Sequence, residues 1–311
     1  MSAELAVKAK PQPPARKRMS FRKWFRTNGW RHAIAWVMLI FAIVPIWWVV
    51  EAAFTPNASF SATSLIPSNP SFINFQHLFN PTKYDPQNAG SVFYVRWYIN
   101  TLLVASVAGF LSVLMGTLAA FAFSRYRFKG RNVGMLFLLV IQMFPTFLAL
   151  VAIYLIFNEI SLVYPAIGLN TLWGLILVYL GGALGANTWL LKGFFDTIPI
   201  ELDESARVDG GSHGQIFWLV VMPLAAPILA VVFLLSFIGT INEFMVASVI
   251  LSDPKKWTLA PGLYNYVSGQ YSNHWGEFAA GAVLASIPAI ILFYVLQRYI
   301  VQGLTAGSVK G

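Results

Sequence analysis

The chain has 311 residues, 57% of them hydrophobic and only 11% charged, with 21 Lys and Arg against 12 Asp and Glu. A soluble domain carries about 25% charged residues, so this composition argues against a soluble globular protein and for an integral membrane protein. Cysteine is absent, which excludes disulfides, thiolate metal sites and cysteine nucleophiles.

Residues 1–32 form a basic tail with nine Lys and Arg against Glu4 alone. A nucleic-acid arm has the same charge, but a tail beside a membrane span more often sets topology and touches anionic lipid. Ala33 to Ala53 is a first span, apolar except for Glu51. Its run exceeds the 7–15 apolar residues of a signal peptide. Residues 54–97 are polar, carry five prolines and read as an outer loop. Tyr98 to Ser124 is the second span, followed by a basic loop with Arg125, Arg127, Lys129 and Arg131. Asn132 to Phe157 is the third, interrupted by Gln142 and Pro145, and Thr171 to Leu191 is the fourth. Gly181 and Gly185 in the fourth have the small-xxx-small spacing that lets helices pack closely in lipid. Pro223 to Leu251 is the fifth span, residues 252–276 are a second outer loop, and Phe278 to Ile300 is the sixth. The predicted fold class is an all-α integral membrane protein with six transmembrane helices. The predicted domains are the tail 1–32, a six-span domain 33–302 and a tail 303–311. With the N-terminus inside, 17 of the 21 Lys and Arg fall on inner segments, so the positive-inside rule places both termini in the cytoplasm. That bias accounts for the net charge without nucleic acid.

Between the fourth and fifth spans, residues 197–222 hold a compact polar stretch. Together with Asp196 it carries five of the twelve acids: Asp196, Glu201, Asp203, Glu204 and Asp209. The bilayer core cannot satisfy these charges, so the stretch lies in water at the membrane face. Pro199 suits a first helical position, acids in the first turn suit the helix dipole, and Gly210 and Gly211 stop the helix. Ser212 with Gln215 is a capping-box pattern that starts a second short helix. This grammar alone fits a solvated loop helix as well as a docking element.

No phosphate-binding loop is present in the sequence, so energy for pumping must come from a partner or an ion gradient. The four histidines are scattered without metal-ligand spacing, and no cofactor or metal is expected. In the fifth span, Gly239, Thr240, Asn242 and Glu243 cluster. An ionisable residue inside a span is a functional-site hypothesis by default. Glu243 therefore faces a cavity or another subunit, or sits near enough to the outer surface to be hydrated. Gln142, Thr146 and Ser286 are further pathway candidates, each also readable as a packing or kink residue.

The spacing Glu204-Ser205-Ala206, three residues, Gly210, nine residues, Val220-Val221-Met222-Pro223 resembles the "EAA" signature of membrane subunits of binding-protein-dependent ABC importers. Ser205, Val220 and Met222 depart mildly from the usual residues. Asn100-Thr101-Leu102, the Arg125-to-Arg131 loop, Thr258-Leu259-Ala260, Trp275 to Ala280 and the ending Gly303 to Gly311 resemble carbohydrate permeases. The resemblance covers residues 30–311 and is strongest to the MalG type of maltose/maltodextrin permease. It implies the MetI-like importer fold and a bacterial inner-membrane location. It also implies partners: two copies of an ABC ATPase, a second homologous (MalF-like) permease, and an extracytoplasmic sugar-binding protein. ATP hydrolysis belongs to the ATPase, so the chain is a transport subunit and not an enzyme. Residues carried over are Glu204, Ser205, Ala206, Asp209 and Gly210 for ATPase docking. A tail of Gly303, Leu304, Thr305, Ala306 and Gly307 would lie between the ATPases. In the outer loop, Trp257, Tyr264, Tyr271 and Trp275 would meet the binding protein. Competing readings are the same importer family with trehalose, another disaccharide or glycerol phosphate as cargo, and an ion-coupled carrier.

Overall fold

The computed structural model describes residues 20, 22, 25–56, 58, 69–81, 93–268 and 274–306. These form helices and the turns between them. Two compact units divide the chain, Met1–Trp48 and Val49–Gly311. The first contains a wide helical turn, Phe25–Gly29, and most of α1, Trp30–Phe54.

In the second unit α1 ends, and a short helix α2, Ile73–Phe79, follows. The Asn74 carboxamide donates to the carbonyls of Ala53 (2.9 Å) and Thr55 (3.0 Å), satisfying acceptors that the end of α1 leaves open. Helix α3, Tyr94–Arg125, is 32 residues long and begins four residues before the expected second span. The expected third span is divided. Helix α4, Arg131–Met143, and helix α5, Thr146–Val163, are separated by Phe144 and Pro145. Proline lacks the N–H that would continue the ladder, and it pushes Phe144 to an extended ψ of 123°.

Helix α6, Leu172–Phe195, starts on a Thr171 hydroxyl that accepts from the Gly174 N–H at 3.0 Å. Helix α7 is Glu201–Val208. Helix α8, His213–Asn242, joins the second short helix to the fifth span without interruption. It stops at Asn242, so the expected continuous span Pro223 to Leu251 is corrected. A separate helix α9, Met245–Ile250, completes it. Within the expected outer loop, residues 252–268 contain a turn, Pro254–Lys256, and helix α10, Leu259–Tyr264. Helix α11, Trp275–Ala306, runs past the expected end of the sixth span and absorbs residues 303–306. Gly307 and Tyr271 lie outside the described residues.

Among the described residues, six helices are long and apolar enough to cross a membrane, with α5 alone qualifying where one longer third span was expected. Helices α3 and α6 pack along their length. A Cβ on Gly116 would lie 2.8 Å from Asn187 Cβ, so only glycine admits that approach. A buried cluster at one end of the pair contains Phe121, Leu191, Phe195, Ile216 and Phe217. Another at the opposite end contains Tyr94, Trp97, Leu259, Leu263 and Ala280.

Candidate functional site

Helix α7 opens with Glu201, Asp203 and Glu204 in its first turn, where the exposed N–H groups favour negative charge. It closes at Gly210, whose φ of +85° is the left-handed conformation that glycine adopts without strain. The Gly211 N–H donates to Ala206 O at 2.9 Å. The capping box is formed: Ser212 N–H donates to Gln215 Oε1 (2.8 Å) and Gln215 N–H to Ser212 Oγ (3.3 Å).

Helical spacing sorts the side chains of α7 into two faces. Asp203 is buried, and Ala206 is half-buried against the Phe121–Phe217 cluster. Glu201, Glu204, Ser205 and Val208 are exposed, Val208 at 88%, and Asp209 and Gly210 follow them into solvent. Of the five residues expected to dock an ATPase, four present an outward surface and Ala206 faces the membrane helices.

Asp203 is held by Arg125 from the end of α3. Arg125 Nε lies 2.8 Å from Asp203 Oδ2, with side chains only 5% and 2% exposed. Arg125 Nη2 donates to Ile198 O at 3.1 Å, in the segment entering α7. The Nε–carboxylate contact is coulombic, without an aligned hydrogen bond, and Asp203 Oδ1 is buried without a hydrogen-bond partner. A parallel link joins α3 to α6: Ser124 Oγ donates to Asp196 Oδ1 (2.7 Å) and Lys192 Nζ to Oδ2 (2.5 Å). Partial burial alone would raise the Asp196 carboxyl. The hydrogen bonds from Lys192 and Ser124 and the charges of Lys192 and Arg131 outweigh it and hold the carboxyl below its ordinary value. This link is therefore intact above the ordinary carboxylate range and is lost only as pH falls below it. Sequence reasoning missed the Arg125–Asp203 pair. The available signal was Ala206, three residues beyond Asp203 on the same helix face.

The pathway candidates separate into two cavities. The larger, about 970 Å³, is lined by Phe144, Thr146, Tyr179, Gly181, Thr240 and Glu243 among others. Both interruptions in the spans, at Phe144–Pro145 and at Glu243–Phe244, border it. Non-helical backbone at membrane depth is tolerated where it lines a cavity or is buried in protein. Glu243 stands at its break with both oxygens engaged. Oε1 accepts from Val246 N–H (2.8 Å), and Oε2 accepts from Ala247 N–H (2.9 Å) and the Tyr179 hydroxyl (2.6 Å). The carboxylate thus caps α9 and ties it to α6. The smaller cavity, about 460 Å³, is lined by Asn242, Tyr264 and Ser286. Gln142 lines neither; a Cβ on Gly185 would collide with its carboxamide.

Replacing Glu243 with Ala should strand two N–H groups and one hydroxyl. Each unsatisfied group costs about 1–3 kcal/mol, so the melting temperature of the detergent-purified protein should fall, and Glu243→Gln should fall less. Unchanged melting with lost transport would make Glu243 a cargo contact instead of a cap.

At the opposite end of α3, three side chains seize residues 254–259. Trp97 Nε1 donates to Pro254 O (2.6 Å), Asn100 Nδ2 to Trp257 O (3.0 Å), and the Thr101 hydroxyl accepts from Leu259 N–H (2.7 Å). Trp257 is half-buried, donating to Leu251 O at 3.0 Å. Trp275 is half-buried on α11, against Phe278. Tyr264, 52% exposed, is the loop aromatic that faces outward among the described residues expected to meet a binding protein.

The family described as "binding-protein-dependent transport system inner membrane component" matches residues 112–306, and the chain belongs to that family. A maltose/maltodextrin transport system permease protein MalG of Vibrio vulnificus is 42% identical over 298 residues, 95% of this chain and 98% of that one. A galactooligosaccharides transport system permease protein GanQ of Bacillus subtilis is 39% identical over 274 residues, 88% and 92% of the two chains. The fold is that of a chain from the crystal structure of a bacterial ABC transporter involved in the import of the acidic polysaccharide alginate. The TM-score is 0.69 at 23% identity, covering 90% of this chain and 98% of that one. The protein is a permease subunit of a binding-protein-dependent ABC importer, and it resides in the inner membrane.

Proposed function

We propose that this subunit imports maltose/maltodextrin-like oligosaccharides. It acts with a second homologous permease, two copies of an ABC ATPase and an extracytoplasmic sugar-binding protein. Both termini and α7 lie in the cytoplasm, in line with the positive charge bias. The outward face of α7, with Glu204, Ser205, Asp209 and Gly210, sits in a cleft on the ATPase. The helix end 303–306 and Gly307 reach between the ATPases. ATP closes the ATPase dimer, α7 moves with it, and the spans switch the cavity between inward and outward access, a two-state linkage between separate sites. Thr146 and Glu243 border this subunit's share of the passage, with Asn242 and Ser286 at the neighbouring cavity. The chain is a transport subunit, with hydrolysis on its partner.

The observation that carries the reading is the construction of α7: a short helix between two spans, pinned on one face and exposed on the other. The relatives named for maltose and maltodextrin support the cargo. GanQ's similarity favours a second reading, a galactooligosaccharide. ATP-dependent uptake of labelled maltotriose into vesicles holding the whole importer should be saturable, and galactotriose should compete poorly. Uptake of galactotriose alone moves the assignment to the second reading. Gly210→Pro should abolish uptake, since proline fixes φ near −65° where the chain needs +85°. Normal uptake by that variant would remove the docking role.

A further inference from the structure

We propose that α3 is a strut that carries the docking state of the outer segment to α7. Thr101 and Asn100 act as positioning residues at one end and Arg125 at the other. The inference rests on the readings above, in which α7 meets the ATPase and the aromatics of the outer loop 252–276, Tyr264 among them, meet the binding protein.

Covalent connections join α7 to α6 and α8, and α7 also packs on the start of α8. The Arg125 side chain adds α3 to that group through Ile198 O and the Asp203 carboxylate, both in or beside α7. Twenty-four residues away on the same helix, Thr101 holds Leu259 N–H, and Asn100 holds the carbonyls of Lys255 (3.2 Å) and Trp257 (3.0 Å). At about 1.5 Å per residue the two grips stand about 36 Å apart, more than the roughly 30 Å hydrocarbon core. One helix therefore touches both faces of the membrane.

Its construction suits transmission. Helix α3 contains no proline, whereas α1, α8 and α11 contain Pro45, Pro227 and Pro288. The α4–α5 pair is broken at Pro145, and the α8–α9 pair at Glu243. Each of those routes has a place to bend, while α3 is uninterrupted and braced along its length by α6. Both grips are buried: Thr101 is 1% exposed, and the Arg125 side chain 5%. A displacement of residues 255–259 must therefore either move α3 or break these hydrogen bonds.

The test uses the complete importer in lipid nanodiscs, with ATP hydrolysis measured with and without sugar-loaded binding protein. Thr101→Val removes the acceptor at constant shape. Arg125→Lys keeps the charge but loses the fork that reaches Ile198 O and Asp203 together. Each should lower stimulation by the binding protein at least about fivefold, the lower end of typical coupling between sites, with basal hydrolysis unchanged in Thr101→Val. Thr101→Ser should retain stimulation. Distant independent sites give additive effects, so a shared path predicts that the double variant is no worse than the worse single. Stimulation retained in either single, losses that multiply, or variants that purify without the ATPase would each overturn the strut. A wild-type chain that never co-purifies with an ATPase would instead overturn the docking reading beneath it.

Discussion

Replacing Arg125 with Ala should unseat α7. The Asp203 carboxylate, 2% exposed, would then be buried without its cation. Removing one partner of a buried ion pair costs about 3–5 kcal/mol, whereas replacing both by apolar groups of similar volume is often neutral or stabilising. The single variant should melt early and lose co-purifying ATPase. Arg125→Met combined with Asp203→Leu should recover most of the melting temperature. The pair contributes position more than net stability, and its asymmetry gives the test its force: a double variant as unstable as the single would show that the pair is not the seat of α7.

Trp97→Ala should release the segment at the other end of α3. Trp97 is fully buried, its ring meets Trp257 and Tyr266 with centroids 6.1 and 6.3 Å away, and Gly262 lies against its face. Truncating a buried aromatic to alanine costs about 3–5 kcal/mol. The loss of the bond to Pro254 O also leaves that carbonyl free. Limited proteolysis should cut residues 252–268 in the variant and spare them in the wild type. Trp97→Phe, which keeps most of the packing and loses one hydrogen bond, should cost about 1 kcal/mol and remain protected. Cleavage of both variants alike would show that the hydrogen bond, and not the packed ring, holds the segment.

The number of spans and the class of protein were legible because long apolar runs and charge-poor composition follow directly from the solvent a membrane provides. The grammar of α7 was legible too, since Pro199, Gly210 and the Ser212–Gln215 pair act through local backbone geometry. Interruptions were harder. Pro145 was visible as a disturbance, but a proline inside a span can kink a helix as well as end it, and here α4 ends at Met143 and α5 begins afresh at Thr146. Glu243 read as an ionisable group within a span; its use as a cap for α9 needs the backbone to turn first, and no local residue pattern announced that turn. The packing of the outer segment was hidden for the same reason. Its polar and aromatic composition matches a loop, and only long-range hydrogen bonds from Trp97, Asn100 and Thr101 draw it into a packed element. The pairing of Arg125 with Asp203 left only the spacing of Asp203 and Ala206 on one face of α7, which does not name the partner.

The inward turn of Ala206 changes what smallness at that position means. A methyl group there lets α7 rest flush on the membrane helices, so a larger side chain would tilt its seat without altering its outward face. Second-site changes that restore such a variant belong among its neighbours in this same chain, around Ile216 and Phe217, whereas under the proposed docking, defects at Glu204 belong to the joint with the ATPase.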